Sequence, residues 1–153
     1  MFRKSRKEYP DFFVSQKIQI AKSPIHGHGV FAAERIEAHE LIEASPVILF
    51  HWDTHTALKD YFGSRHVLMD YPFSWNGKIV AFALGFAGLY NHSADSPNAT
   101  WKLNYQIESI DFYSKHAIEA GEEICTRYLM KHLCDSVWFD DPETEAIPMH
   151  AGD

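Results

Sequence analysis

Cysteine is scarce in this chain: Cys125 and Cys134 are the only two among 153 residues. No C-x-x-C pair is available to begin a zinc site, and two free thiols in a reducing compartment are expected. Long apolar runs are missing as well. Val47-Ile48-Leu49-Phe50 is bounded by Pro46 and His51, far short of the roughly 18 consecutive apolar residues that cross a bilayer. The start, Met1-Phe2-Arg3-Lys4-Ser5-Arg6-Lys7, is basic but leads into Glu8-Tyr9-Pro10 rather than an apolar signal-peptide stretch. A soluble, unexported, cytoplasmic protein with no membrane partner is therefore expected. Positive charge is the third shortage, with 14 Lys and Arg against 21 Asp and Glu and a formal net charge of −7. Arg3, Lys4, Arg6 and Lys7 contribute +4, so residues 8 to 153 carry −11. An acidic body lacks the basic face that direct nucleic-acid binding requires, and it is compatible with a basic peptide partner or with a plain role in solubility.

What is present is apolar and aromatic. Hydrophobic residues make up 46% and aromatic residues 14% of the chain, too much for a disordered segment. A fold of this length buries roughly 70% of its unfolded-chain surface, enough for one core without staples. Short β-branched and aromatic runs recur between turn signals. Strands are predicted at Lys17 to Ala21, Gly29 to Ala32, Glu40 to Glu43 and Pro46 to Phe50. A helix is predicted from Thr54 to Phe62, capped by Asp53 or Thr54 and ended by Gly63. Asn76-Gly77 predicts a hairpin turn into an apolar strand, Lys78 to Leu84. After a loop from Gly85 through Asn98, Ala99 to Leu103 and Gln106 to Tyr113 alternate as paired strands do, with Asn104-Tyr105 between them. Glu123 to Tyr128 reads as a last strand. The fold class is mainly β (α+β), with many short strands and few short helices.

Three motifs stand out, and each has a bland reading. Gly27-His28-Gly29-Val30-Phe31-Ala32 matches a variant dinucleotide fingerprint, but Val30-Phe31 continues as strand where that fingerprint needs a helix. What remains is a pair of glycines that permit positive φ and close approach of a backbone. Asn91-His92-Ser93-Ala94-Asp95-Ser96-Pro97-Asn98 is a turn-rich loop whose amides can bond an amine or carboxylate. Gly121-Glu122-Glu123-Ile124 is a turn entering an apolar strand that reaches Tyr128. Histidine is abundant at 10 residues, yet His26 with His28 and His51 with His55 have no carboxylate or cysteine at ligand spacing. No metal site is assigned, and surface and turn histidines explain the count.

Taken together, in this order and at these spacings, the three motifs resemble the signatures of the SET-domain protein-lysine methyltransferases. The resemblance covers roughly residues 15 to 130 and is nearest to the short, stand-alone bacterial or viral members without a zinc-binding tail. It implies several small curled β-sheets with a C-terminal pseudoknot, in which the segment carrying the final tyrosine threads an earlier loop. The division that follows is an N-terminal basic segment (1–14), a SET domain (15–130) and a C-terminal closing segment with an acidic tail (131–153). The implied cofactor is S-adenosyl-L-methionine, with Gly27, His28 and Gly29 around its methionine part. Asn91 is expected at its amino group and His92 at adenine. Tyr128 is the implied catalytic tyrosine, and Trp138 with Phe139 are candidates to close the site, the indole packing on adenine. Tyr90, Phe112 and Tyr113 are candidates for the substrate channel, with core packing the alternative for each.

Three departures from the family pattern bear on the substrate pocket. Glu43-Ala44-Ser45-Pro46-Val47 has no aromatic where many relatives have E-Y-x-G, Arg127-Tyr128 stands for D-Y, and the cysteine-rich tail is missing. The implied activity is methyl transfer to a lysine of a basic protein or peptide, such as a histone or histone-like protein. The alternative is a catalytically silent module that binds basic peptides. A homodimer stays open. Were the source a virus or intracellular bacterium, Arg3 to Lys7 would be a candidate address for the host nucleus, against the plainer reading of a solvated tail.

Overall fold

The computed structural model describes residues 12–127. Ten strands and one α-helix account for most of them, in two sheets. Strand β1 (Phe13–Val14) pairs antiparallel with β4 (Leu41–His51), which lies at the centre of the larger sheet. That sheet runs β5 (Phe73–Asn76), β6 (Ile79–Ala83), β4, β9 (Ser109–Ser114) and β8 (Ala99–Asn104). The smaller sheet orders β2 (Ile18–Lys22), β3 (His28–Ala32), β10 (Glu123–Thr126) and β7 (Asn91–His92). Between the sheets lies a core that includes Val30, Ile36, Ile42, Val80, Ile110, Phe112, Ile118 and Ile124, each no more than 1% exposed. No helix among the described residues is long and apolar enough to cross a membrane.

The β-rich class holds, and the differences from the sequence reading are local. Residues 40–50 were expected as two strands, Glu40 to Glu43 and Pro46 to Phe50. They form one strand of 11 residues. Pro46 stands opposite Ser109 of β9, and on its other edge it falls between Ala44, the last partner of β1, and Val47, the first partner of β6, where Leu84 O accepts from Ser45 Oγ. The carbonyl of Pro46 still accepts from Leu84 N at 2.8 Å.

Helix α1 (Trp52–Phe62) begins two residues earlier than expected. His51 caps it, its Nδ1 accepting from Asp53 N at 3.2 Å, and Gly63 ends it at φ 87°. At the β5–β6 hairpin, Asn76 is the last strand residue and Gly77-Lys78 make the turn. Asn76 Oδ1 accepts from both Lys78 N and Ile79 N at 3.1 Å, a side-chain bond that shifts the turn one residue along the chain. Between β8 and β9 the turn occupies residues 105–108, with Glu108 at φ 56°, rather than Asn104-Tyr105.

The step that assembles the site is the placement of β10. It enters between β3, to which it is antiparallel, and β7, to which it is parallel. Segments around residues 29, 91 and 123 thereby become neighbours.

Candidate active site

The loop before β3 is tied by Ser23, whose backbone N–H donates to Gly27 O at 2.9 Å and whose Oγ accepts from Ile25 N at 2.9 Å. Its two glycines are needed for different reasons. Gly27 has φ 50°, in the left-handed region that favours glycine. Gly29 is buried, and a Cβ on it would lie 2.2 Å from Glu123 Oε1 and 3.0 Å from Asn91 Nδ2. The first serves the turn and the second a close approach.

Asn91 is 7% exposed. Its Nδ2 donates to Glu123 Oε1 at 2.7 Å and to the carbonyl oxygen of His26 at 3.1 Å, with that of His28 at 3.3 Å. The side chains of His26 and His28 are exposed, so these residues contribute backbone to the site. His92 is half-buried and stands opposite Thr126 in the parallel ladder, as Asn91 stands opposite Cys125. Asn98 fastens β10 from the other end of the loop, its Nδ2 donating to Glu123 O and its Oδ1 accepting from Cys125 N, both at 2.8 Å. Burial, then the charge of Glu123, pushes the Cys125 thiol up to about 11. It therefore stays protonated at neutral pH and is no nucleophile.

The aromatic candidates part company. Tyr90 and Phe112 are each 1% exposed and stacked, with ring centroids 4.4 Å apart. The Tyr90 hydroxyl donates to Glu43 Oε2 at 2.8 Å, and burial holds its pKa well above the usual tyrosine value. Tyr113 is half-buried, with Lys102 Nζ 4.6 Å from its ring centroid. Tyr128, Trp138 and Phe139 lie outside the described residues. The described chain ends at Arg127, one residue beyond the β10 partner of His92. The guanidinium of Arg127 donates to Ala94 O, which ties the end of β10 to the loop after Asn91.

Sequence reasoning did not single out Glu43 or Glu123 as side chains that shape the site. Glu43 is fully buried beneath Tyr90. A lone carboxylate between Ile42 and Ala44 was the available signal. For Glu123 the signal was its place at the start of an apolar strand, where one of two adjacent glutamates must face inward.

These contacts bring a backbone turn, an amide and a strand end together across 100 positions. The chain belongs to the SET domain family, whose model matches residues 27–129. It is 31% identical over 137 residues to the Schizosaccharomyces pombe histone-lysine N-methyltransferase, H3 lysine-37 specific, covering 85% of this chain and 86% of that protein. A crystal structure of a Plasmodium falciparum protein assigned as a histone methyltransferase aligns with TM-score 0.58 and 28% identity, covering 76% of this chain and 96% of that one. A Polycomb Repressive Complex 2 structure from Chaetomium thermophilum, autoinhibited and bound to S-adenosylmethionine, aligns with TM-score 0.65 and 25% identity. It covers 76% of this chain and 15% of that chain.

The residues present fit that cofactor. Its amino-acid end needs hydrogen-bond acceptors for an ammonium and room against backbone. The carbonyls of His26 and His28 are such acceptors, and the missing Cβ of Gly29 lets side chains come up against the backbone beside them.

Proposed function

We propose that this protein transfers a methyl group from S-adenosylmethionine to the side-chain amine of a lysine in a basic protein, a histone or histone-like protein being the substrate class. The observation that carries this reading is the insertion of β10 beside β7. It sets the Gly27-His28-Gly29 turn, Asn91-His92 and the residue before Tyr128 at one place. The cofactor, when bound, supplies an electrophilic methyl on a sulfonium that departs as a neutral thioether. The protein's task is to present a neutral amine in line with it. A free lysine has a pKa of about 10.4 and is mostly protonated at neutral pH, so a narrow, dehydrating channel favours the reactive form. In this reading the Tyr128 hydroxyl orients the amine lone pair, Tyr113 borders the channel, and His92 and Trp138 serve the adenine side. Positioning rather than a strong base accounts for the rate. Tyr90 and Phe112 act from beneath, as the packed floor on which Asn91 is carried.

Calorimetric titration with S-adenosylmethionine tests the reading, using wild type and an Asn91→Ala variant whose folding has been checked. One-to-one binding at micromolar affinity, weakened tenfold or more in the variant, is expected. Tritiated methyl transfer to core histones should follow, and Tyr128→Phe should abolish it without loss of fold. Folded wild-type protein that binds no cofactor would overturn the assignment in favour of a silent peptide-binding module.

A further inference from the structure

Three oxygens converge on the one nitrogen Asn91 Nδ2: Glu123 Oε1 at 2.7 Å, His26 O at 3.1 Å and His28 O at 3.3 Å. An amide nitrogen has two hydrogens, so the acceptors outnumber the protons they surround. The other Glu123 oxygen accepts from Ser23 Oγ at 2.9 Å, which holds the carboxylate against the loop that supplies the two carbonyls. Gly29 leaves the space into which this carboxylate leans. Among the described residues no Lys, Arg or His lies within ion-pair distance of Glu123. Among the described residues, then, the half-buried carboxylate stands beside two backbone carbonyls with no cation, a set short of one hydrogen and one positive charge. An alkylammonium brings both.

We infer that Glu123 is a cofactor-binding residue, its carboxylate pairing with the α-ammonium of the methionine part of S-adenosylmethionine beside the carbonyls of His26 and His28. The inference rests on the methyltransferase reading and adds to it a charge that sets ligand choice. The site selects for the amino group itself rather than only for the adenosine part. It also gives the absence of a side chain at Gly29 a purpose, since a Cβ there would drive the carboxylate off Asn91.

The test is a two-by-two comparison of binding. S-adenosylhomocysteine and its analogue with hydrogen in place of the α-amino group are titrated into wild type and Glu123→Gln, with thermal melts to verify folding. Wild type should prefer the amine ligand tenfold or more. Glu123→Gln should lose at least tenfold in affinity for S-adenosylhomocysteine while binding the deaminated analogue within twofold of wild type. Equal weakening of both ligands would overturn the inference and make Glu123 a brace for the loop, as would an unchanged affinity for S-adenosylhomocysteine. A wild type that binds neither ligand would instead bring down the methyltransferase reading and this inference with it. Glu123→Asp, which withdraws the carboxylate by one methylene, supplies the same comparison if the Gln variant does not fold.

Discussion

Glu43 is fully buried, yet its carboxyl group is well supplied with neighbours. Phe86 N donates to Oε1 at 2.8 Å, the Tyr90 hydroxyl donates to Oε2 at 2.8 Å, and Ser45 Oγ lies 2.5 Å from Oε1. Ser45 Oγ is also 2.5 Å from Leu84 O, and a hydroxyl has one hydrogen to give. A protonated Glu43 resolves the count by donating to Ser45, which then donates to Leu84. Burial independently raises the pKa of Glu43, against the three hydrogen bonds that lower it. With the folded pKa above the unfolded one, the native state holds the proton more tightly. The stabilisation is complete below about pH 4.5 and is lost as pH rises through the folded value. Glu43→Gln keeps the shape and removes the titration, so its melting temperature relative to wild type should climb as pH rises from 4.5. Glu43→Ala strands the Phe86 N–H and the Tyr90 hydroxyl and opens a cavity, which should cost about 3 kcal/mol in denaturant unfolding.

Helix α1 is attached by little. His55 is its only buried residue, stacked on Trp52 with ring centroids 4.8 Å apart, and neither ring nitrogen has a hydrogen-bond partner among the described residues. Burial and then the charge of Lys59 lower the pKa of His55 below the usual 6.5. Here the unfolded segment binds the proton more readily, so the docked helix is fully stable above about pH 6.5 and loses stability as pH falls toward the folded value. Amide-exchange protection factors in α1 should drop several-fold between pH 7.5 and 5.5 in wild type and stay level in His55→Phe. An equal drop in both would place the acid sensitivity elsewhere. The same element shows what local sequence reveals. Gly63 marked the helix end correctly because a C-terminal glycine acts alone. The start was misplaced because His51, rather than Asp53 or Thr54, supplies the capping atom. Pro46 was rightly read as strand, and what the local sequence missed is that Ala44-Ser45 continue the same strand. The chemical motifs were legible because turn glycines, an amide and a final strand carry their chemistry in residue type and order. Glu43 with Tyr90 and Glu123 with Asn91 were not, because those pairs exist only once the sheets place residues 47 and 32 positions apart in contact.

For the whole molecule, the charge balance separates two binding events that depend on salt in different ways. In the proposed reading the cofactor meets part-buried groups that already bond one another at about 3 Å, where mobile ions have little access. Recruitment of a basic protein draws on the field of a body that carries −11 over residues 8 to 153. That field acts across distances comparable with the Debye length, about 10 Å at 0.1 M ionic strength and about 3 Å at 1 M. Screening should therefore slow encounter with the substrate and leave cofactor affinity nearly intact. Measured as methyl transfer to a lysine-rich histone peptide, kcat/KM should fall about tenfold between 50 and 500 mM salt, while the Kd for S-adenosylmethionine changes less than twofold. A kcat/KM that does not respond to salt would mean that the negative charge keeps the protein in solution and has no part in drawing a basic substrate to Asn91 and its neighbours.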